Sequence, residues 1–288
     1  EVFAKDPLAE STIPEGEIPV FELTREGADK ILTAVGATLL DPPKTAPGEP
    51  LGLSAALTMS PAEARTVETA NVLGILPGSD PYLRQEVIIL GAHYDHVGDD
   101  PAGLVCEGSD CTETPGLRYP GANDNASGVG VLLEIARSWH EQGFRPKRSV
   151  LFAAWGAEEL GQLGSRYFLE NPTLPLDHSL GIVQLDGVGS GDGFYLGAQG
   201  VWEQDALLLG SIQNAAELQE EELVFSDSIV SSDQLPFREA GFPGILVQWR
   251  LANEANLPDG MAGGVDPGKL GATGRLVSLA LMALAGGN

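Results

Sequence analysis

GANDNASGVGVLLEIARSWHEQGFRPKRSVLFAAWGAEELG spans residues 121–161. It divides into a glycine-bounded turn, a helix, a short basic link, a strand and a second turn. Within 126–142, Val129, Leu132, Leu133, Ala136 and Trp139 recur at i, i+3, i+4 spacing, which predicts a helix with one apolar face. Residues 149–155 are a continuous apolar run of strand length, as expected for a strand covered on both sides. Working outward, the same alternation continues. Residues 71–76 and 86–92 read as strands joined around PGSDP, a hairpin-like pair. A short helix around 165–169 ends at Asn171-Pro172. Strands follow at 180–185, 193–196, 223–225 and 244–249, with helices at 202–219 and 269–285. No internal repeat occurs. Strands alternating with helices predict an α/β fold with a mostly parallel mixed central sheet flanked by helices on both faces.

Residues 1–65 differ in character. They offer a strand at 18–23 and a helix at 25–35 with Thr24 as N-cap, then the loop-forming DPPK and APGEP at 41–50. This predicts a small N-terminal appendage, residues 1–58, before a main domain at 59–288.

Composition narrows the function. The chain has 288 residues, 43% of them hydrophobic and 20% charged, enough to bury a real core. Gly 37 and Pro 20 make about one residue in five, without a collagen-like period, and read as many tight loops. Lys+Arg 16 against Asp+Glu 41 leaves a net charge of −25. Such a surface repels nucleic acid and anionic membranes, and neither is expected as a partner. No apolar run approaches the roughly 18 residues of a membrane span. Cys106 and Cys111 sit in a Gly/Asp-rich loop at a spacing that suits a local disulfide. With the acidic composition they point to an exported protein, extracellular or periplasmic, whose Glu1 is a processing site or the end of a fragment.

Four motifs fall at strand ends or helix starts: GAHYDHVG (91–98), GANDNASG (121–128), WGAEELGQLGS (155–165) and LDGVG (185–189). In parallel sheets ligands bind beyond the carboxyl ends of the strands. His93, Asp95, His96, Asp124, Glu158, Glu159 and Asp186 are thereby offered to one rim. Singly, each has a plain structural reading: Asp124 an N-cap, Glu158 and Glu159 a solvated helix start, Asp186 a turn residue. Together, up to four carboxylates in one cleft require protons or a cation. An added imidazole makes a mixed N/O donor set suited to zinc. Asp124 on its tight turn could bridge two ions. Of two adjacent glutamates, one can bind metal while the other shuttles protons, and Asp95 could orient the His93 ring.

These motifs resemble the zinc-dependent exopeptidases that include the secreted bacterial di-zinc aminopeptidases, with glutamate carboxypeptidase and glutaminyl cyclase as more distant relatives. The resemblance covers about residues 70–288. A fifth motif, SSDQLPFREAGFPG (231–244), is similar to the family's Ser-Asp-His-x-Pro-Phe segment, with Gln234 in place of histidine. The resemblance implies a zinc-dependent aminopeptidase acting on peptides with a free N-terminus through a metal-activated water. It makes Asp124 the bridging ligand, His93 and Asp186 its partners in one site, Glu159 a ligand of the other and Glu158 the general base. It also implies a cis peptide at Asp124-Asn125.

One departure is plain. The family takes a histidine for the second site from a Tyr-His-Thr-Pro-like segment before the last helix. The matching stretch here is NEANLPDG (253–260), with Ala255 and Asn256 at those positions, and no histidine follows His178. Asn256 is the expected replacement ligand, with Glu254 and Asp259 beside it; otherwise the second ion binds weakly or is absent. One or two zinc ions are therefore expected. The departure keeps two rivals open: a non-catalytic or impaired peptide-binding homologue, and a single-metal enzyme resembling glutaminyl cyclase. His140 and His178 read as structural or solvated. GGVDPGKL (263–270) lacks the Ser/Thr of a phosphate-binding loop. IPVFELTREGADKILTAVG (18–36) resembles the closing strand and helix of a protease-associated domain.

Overall fold

The structure is a computed structural model that describes residues 25–34, 36–38, 41, 67–100, 117–190, 196–228, 230–249 and 264–286. The chain divides into two compact units, Glu1–Glu68 and Thr69–Asn288. In the first, helix α1 (Arg25–Thr33) closes where Gly36 adopts φ 71° and the Ala37 N–H donates to the Leu32 carbonyl at 2.9 Å. The strand expected at 18–23 lies outside the described residues, as do Cys106 and Cys111.

The second unit runs β1 (Val72–Leu76), β2 (Val87–His93), β3 (Gly98–Asp100), β4 (Leu117–Tyr119), α2 (Gly128–Glu141), β5 (Ser149–Trp155), α3 (Leu163–Glu170), β6 (Ser179–Leu185), β7 (Leu196–Gln199), α4 (Trp202–Gln219), β8 (Leu223–Ser226), α5 (Gln234–Glu239), β9 (Gly244–Trp249) and α6 (Pro267–Gly286). Seven strands form one mixed sheet in the order β1-β5-β2-β6-β9-β7-β8. The central pairs β5–β2, β2–β6 and β6–β9 are parallel, while β1 and the β7–β9 pair are antiparallel. β3 and β4 make a separate antiparallel pair.

Every residue of β2 is buried. Because side chains alternate along a strand, Ile88, Leu90 and Ala92 enter a core built with α2, α4 and α6. Val87 and Ile89 face the other way, against Trp155, Phe168 and Phe237, under α3 and α5. Two covered faces explain the apolar runs at Val87–Ala92 in β2 and Val150–Trp155 in β5. Among the described residues no helix is long and apolar enough to cross a membrane.

Two expectations are corrected. β1 and β2 are not a hairpin: β5 lies between them, with Val72 opposite Ala154 and Val87 beside Ser149. The link from 77 to 86, which contains PGSDP, holds a short helical turn at Leu83–Gln85. The buried stripe of α2 is Val131, Leu132, Ile135 and Trp139, while Leu133 is 59% exposed. Both stripes satisfy helical spacing and share Leu132 and Trp139. The choice falls to tertiary partners: Val131 and Ile135 enter the core shared with α6, while Val129 and Ala136 are only partly buried against it, and the shared Trp139 indole N–H donates to Ser278 Oγ of α6 at 2.8 Å. Of the strand expected at 193–196, Leu196 opens β7 and opposes Trp249, while 193–195 lie outside the described residues.

Candidate metal centre

The parallel strands β2, β5 and β6 end on one rim, and each hands the chain to a polar turn there. β2 ends at His93, whose ring is buried. β5 leads into Gly156–Glu159, and β6 into Asp186. The fourth contribution comes from the turn before α2, where the Asp124–Asn125 peptide bond is cis. That turn is tied to β6: the Asn125 Nδ2 amide donates to the Leu185 carbonyl at 2.8 Å, and the Gly128 N–H donates to Asn125 Oδ1 at 3.0 Å.

His93 Nε2 lies 3.0 Å from Asp124 Oδ1 and 3.4 Å from Asp186 Oδ1. His96 Nδ1 lies 2.6 Å from Glu159 Oε1 and 3.9 Å from Asp124 Oδ1. Two sets of three donors, His93/Asp124/Asp186 and His96/Asp124/Glu159, thus each converge within 4.8 Å and share Asp124. A third grouping, His93/Glu158/Glu159, places Glu158 beside them. One imidazole and two carboxylates per set is a nitrogen–oxygen donor chemistry that fits zinc.

The electrostatics agree with that fit. Burial opposes a charge on His93, yet the hydrogen bonds and charges of Asp124 and Asp186 override it and push its pKa up to about 12. Carboxylates that hold a proton this firmly also favour a divalent cation in its place, because metal binding releases ligand protons.

The Asp95 carboxylate does not orient the His93 ring, which corrects its expected role. His93 Nδ1 meets the Asp95 main-chain carbonyl at 3.0 Å, while the nearer carboxylate oxygen is 3.9 Å away. Asp95 instead accepts the Glu158 N–H at 3.0 Å and the Glu159 N–H at 3.3 Å. Asp95 is therefore a positioning residue that fixes the turn carrying both glutamates. Ala157 and Gln162, at φ 57° each, are non-glycine residues in the left-handed region on either side of that turn.

Glu158 is 8% exposed, and its Oε1 accepts from Gln162 Nε2 at 3.0 Å. Burial pushes its pKa up to about 8, against the Gln162 hydrogen bond and the His93 charge. Behind Asp186, Ser232 Oγ donates to Oδ2 at 2.6 Å. Asp233 beside it is fully buried and accepts from Ser165 Oγ at 2.5 Å and Gln184 Nε2 at 3.2 Å. Ser232 and Asp233 belong to the SSDQLPF motif. Gln234 is buried and donates to the Val230 carbonyl at 2.7 Å.

Asp233 gives a testable pH dependence. Burial raises its pKa from 3.8 to about 7, with the Ser165 hydrogen bond opposing. A carboxyl raised on folding contributes stability that is complete below its unfolded pKa and is lost as pH rises through the folded one. In the chelated protein the melting temperature is expected to fall between about pH 4 and 7, and Asp233→Asn to flatten that fall. An identical slope in the variant would contradict the assignment.

Of the residues expected at the site, His93, Asp124, Glu158, Glu159, Asp186 and Asp95 come together. Asn256, with Glu254 and Asp259, lies outside the described residues. The motif puts His96 on the rim without a metal role; the structure adds its position 2.6 Å from Glu159 Oε1. His140 and His178 are exposed, in the last turn of α2 and just before β6.

A family model described as peptidase family M28 matches residues 71–272. Leupeptin-inactivating enzyme 1 of Streptomyces exfoliatus is 30% identical over 175 residues, covering 60% of this chain and 34% of that protein. The structure of a zinc aminopeptidase from Bacillus subtilis superposes with a TM-score of 0.59 at 28% identity, over 73% of this chain and 49% of that one. Glutaminyl cyclase of Bacteroides thetaiotaomicron shares the fold, with a TM-score of 0.55 at 24% identity over 74% and 76% of the two chains. The chain therefore spans about a third of that first relative and about half of the Bacillus enzyme's structure.

Proposed function

The chain belongs to peptidase family M28, and from that membership we propose that it is a zinc-dependent aminopeptidase. The observation that carries the reading is the convergence of His93, Asp124 and Asp186 on one rim with the buried Glu158 beside them. His93, Asp124 and Asp186 would hold one ion, and Asp124 and Glu159 would take part in holding a second. Zinc in such a site supplies a water whose pKa is lowered from 15.7 towards about 7, and positive charge for a developing oxyanion.

The residues of the chain do the rest. Glu158 takes a proton from the attacking water and delivers it to the leaving amine, a role that favours a pKa near the working pH. Gln162 keeps its carboxylate aimed. Asp95 holds the backbone of both glutamates, so that acceptor and ligand keep a fixed separation. The surplus of carboxylates at the rim, on a chain of net charge −25, favours a substrate that presents a free ammonium group. The acidic composition and the Cys106–Cys111 spacing support a location outside the cytoplasm as part of the same proposal, which fractionation of the source cells would check.

The test uses aminoacyl nitroanilides and matched peptides with free and acetylated N-termini. Turnover of the free-amine substrates alone, lost on chelation and restored by zinc, is the expected result. Absence of turnover in the zinc-loaded protein would favour a binding protein. Ammonia release from N-terminal glutamine peptides, without hydrolysis, would favour a cyclase.

A further inference from the structure

Resting on the metallopeptidase reading, we propose that His96 is the nitrogen ligand of the second cation position, in place of the histidine missing from residues 253–260. Glu159 and Asp124 complete that donor set.

Three independent observations support this. The first is arithmetic: the chain has four histidines, His93 belongs to the first position, and His140 and His178 are exposed elsewhere. The second is geometry. His96 Nδ1 lies 2.6 Å from Glu159 Oε1 and 3.9 Å from Asp124 Oδ1, so its imidazole meets a carboxylate outside the first position and the one that both positions share. The third is how the ring is held. The His96 side chain is only 7% exposed. It packs against Gly121, which has φ 73° and whose absent Cβ would stand 2.8 Å from His96 Cβ. Any side chain at 121 would take the space of the imidazole stem and would also strain the turn that presents Asp124.

The arrangement has a simple origin. His93 ends β2 and His96 follows three residues later, with Asp95 between them bonded to the Glu158–Glu159 backbone. One loop therefore carries both imidazoles and fixes both glutamates. Each position becomes one imidazole with carboxylates, and Asp124 is common to both.

The experiment reads metal content rather than turnover. The full chain is stripped with chelator, dialysed against zinc and analysed by elemental mass spectrometry, with zinc-edge absorption spectroscopy counting imidazoles. The wild type is expected to hold two ions with an average of one imidazole each. His96→Ala should hold one ion, and Asn256→Ala should still hold two. The imidazole count on unaltered protein keeps the test decisive if the His96 variant folds poorly. Two ions in His96→Ala, or an average of half an imidazole per ion in the wild type, would overturn the inference. A single ion in the wild type would overturn it too while leaving the proposed function standing; no ion at all would overturn both.

Discussion

Replacing Glu158 with glutamine is expected to lower kcat on the order of a thousandfold while zinc content and KM stay close to wild type. The variant keeps the size of the side chain and its contact with Gln162, and removes only the capacity to accept a proton. Glu158 lies outside both donor sets that share Asp124, so its loss leaves the ligands intact. Burial has already raised its pKa to about 8, which places it where a general base works best at neutral pH. A nearby cation favours the carboxylate and lowers that value. The ascending limb of the kcat profile is therefore expected below pH 8, and to vanish in the glutamine variant. Steady-state kinetics with metal analysis on the same samples check this. An unchanged kcat would remove Glu158 from the role of base.

Replacing Asp124 with alanine should have the wider effect. Its Oδ1 stands 3.0 Å from His93 Nε2 and 3.9 Å from His96 Nδ1, the shared member of both donor sets. Zinc content is expected to fall to background and activity with it. The side chain is 42% exposed, and the turn itself is secured by Asn125 to Leu185 and Gly128, so the fold should persist in circular dichroism. Of the two sets that share Asp124, Glu159→Ala touches only the one with His96 and should cost only the second ion. Retention of the first ion by Asp124→Ala would show that His93 and Asp186 suffice alone.

The sheet was legible because its central strands are covered on both faces. β5 at Ser149–Trp155 and β9 at Gly244–Trp249 match the apolar runs to the residue. Most of the rim was legible for the same reason: once the strands end at His93, Trp155 and Leu185, the polar residues that follow must gather there. What escaped depends on contacts that periodicity does not carry. Strand order was misread at β1 because a sequence run does not say which neighbour it pairs with. α5 was missed because six residues containing Pro236 hold too little pattern. Asp95 was misassigned because only the folded turn reveals that its backbone carbonyl, and not its carboxylate, reaches His93. His96 carries a signal of its own in the sequence: a second histidine in the motif of one ligand, in a chain with none after 178.

Crystals grown with zinc and measured on both sides of its absorption edge test the central claim most directly. An anomalous peak bonded to His93 Nε2, Asp124 and Asp186 is the predicted result. Saturating zinc with no peak among those three side chains would contradict it.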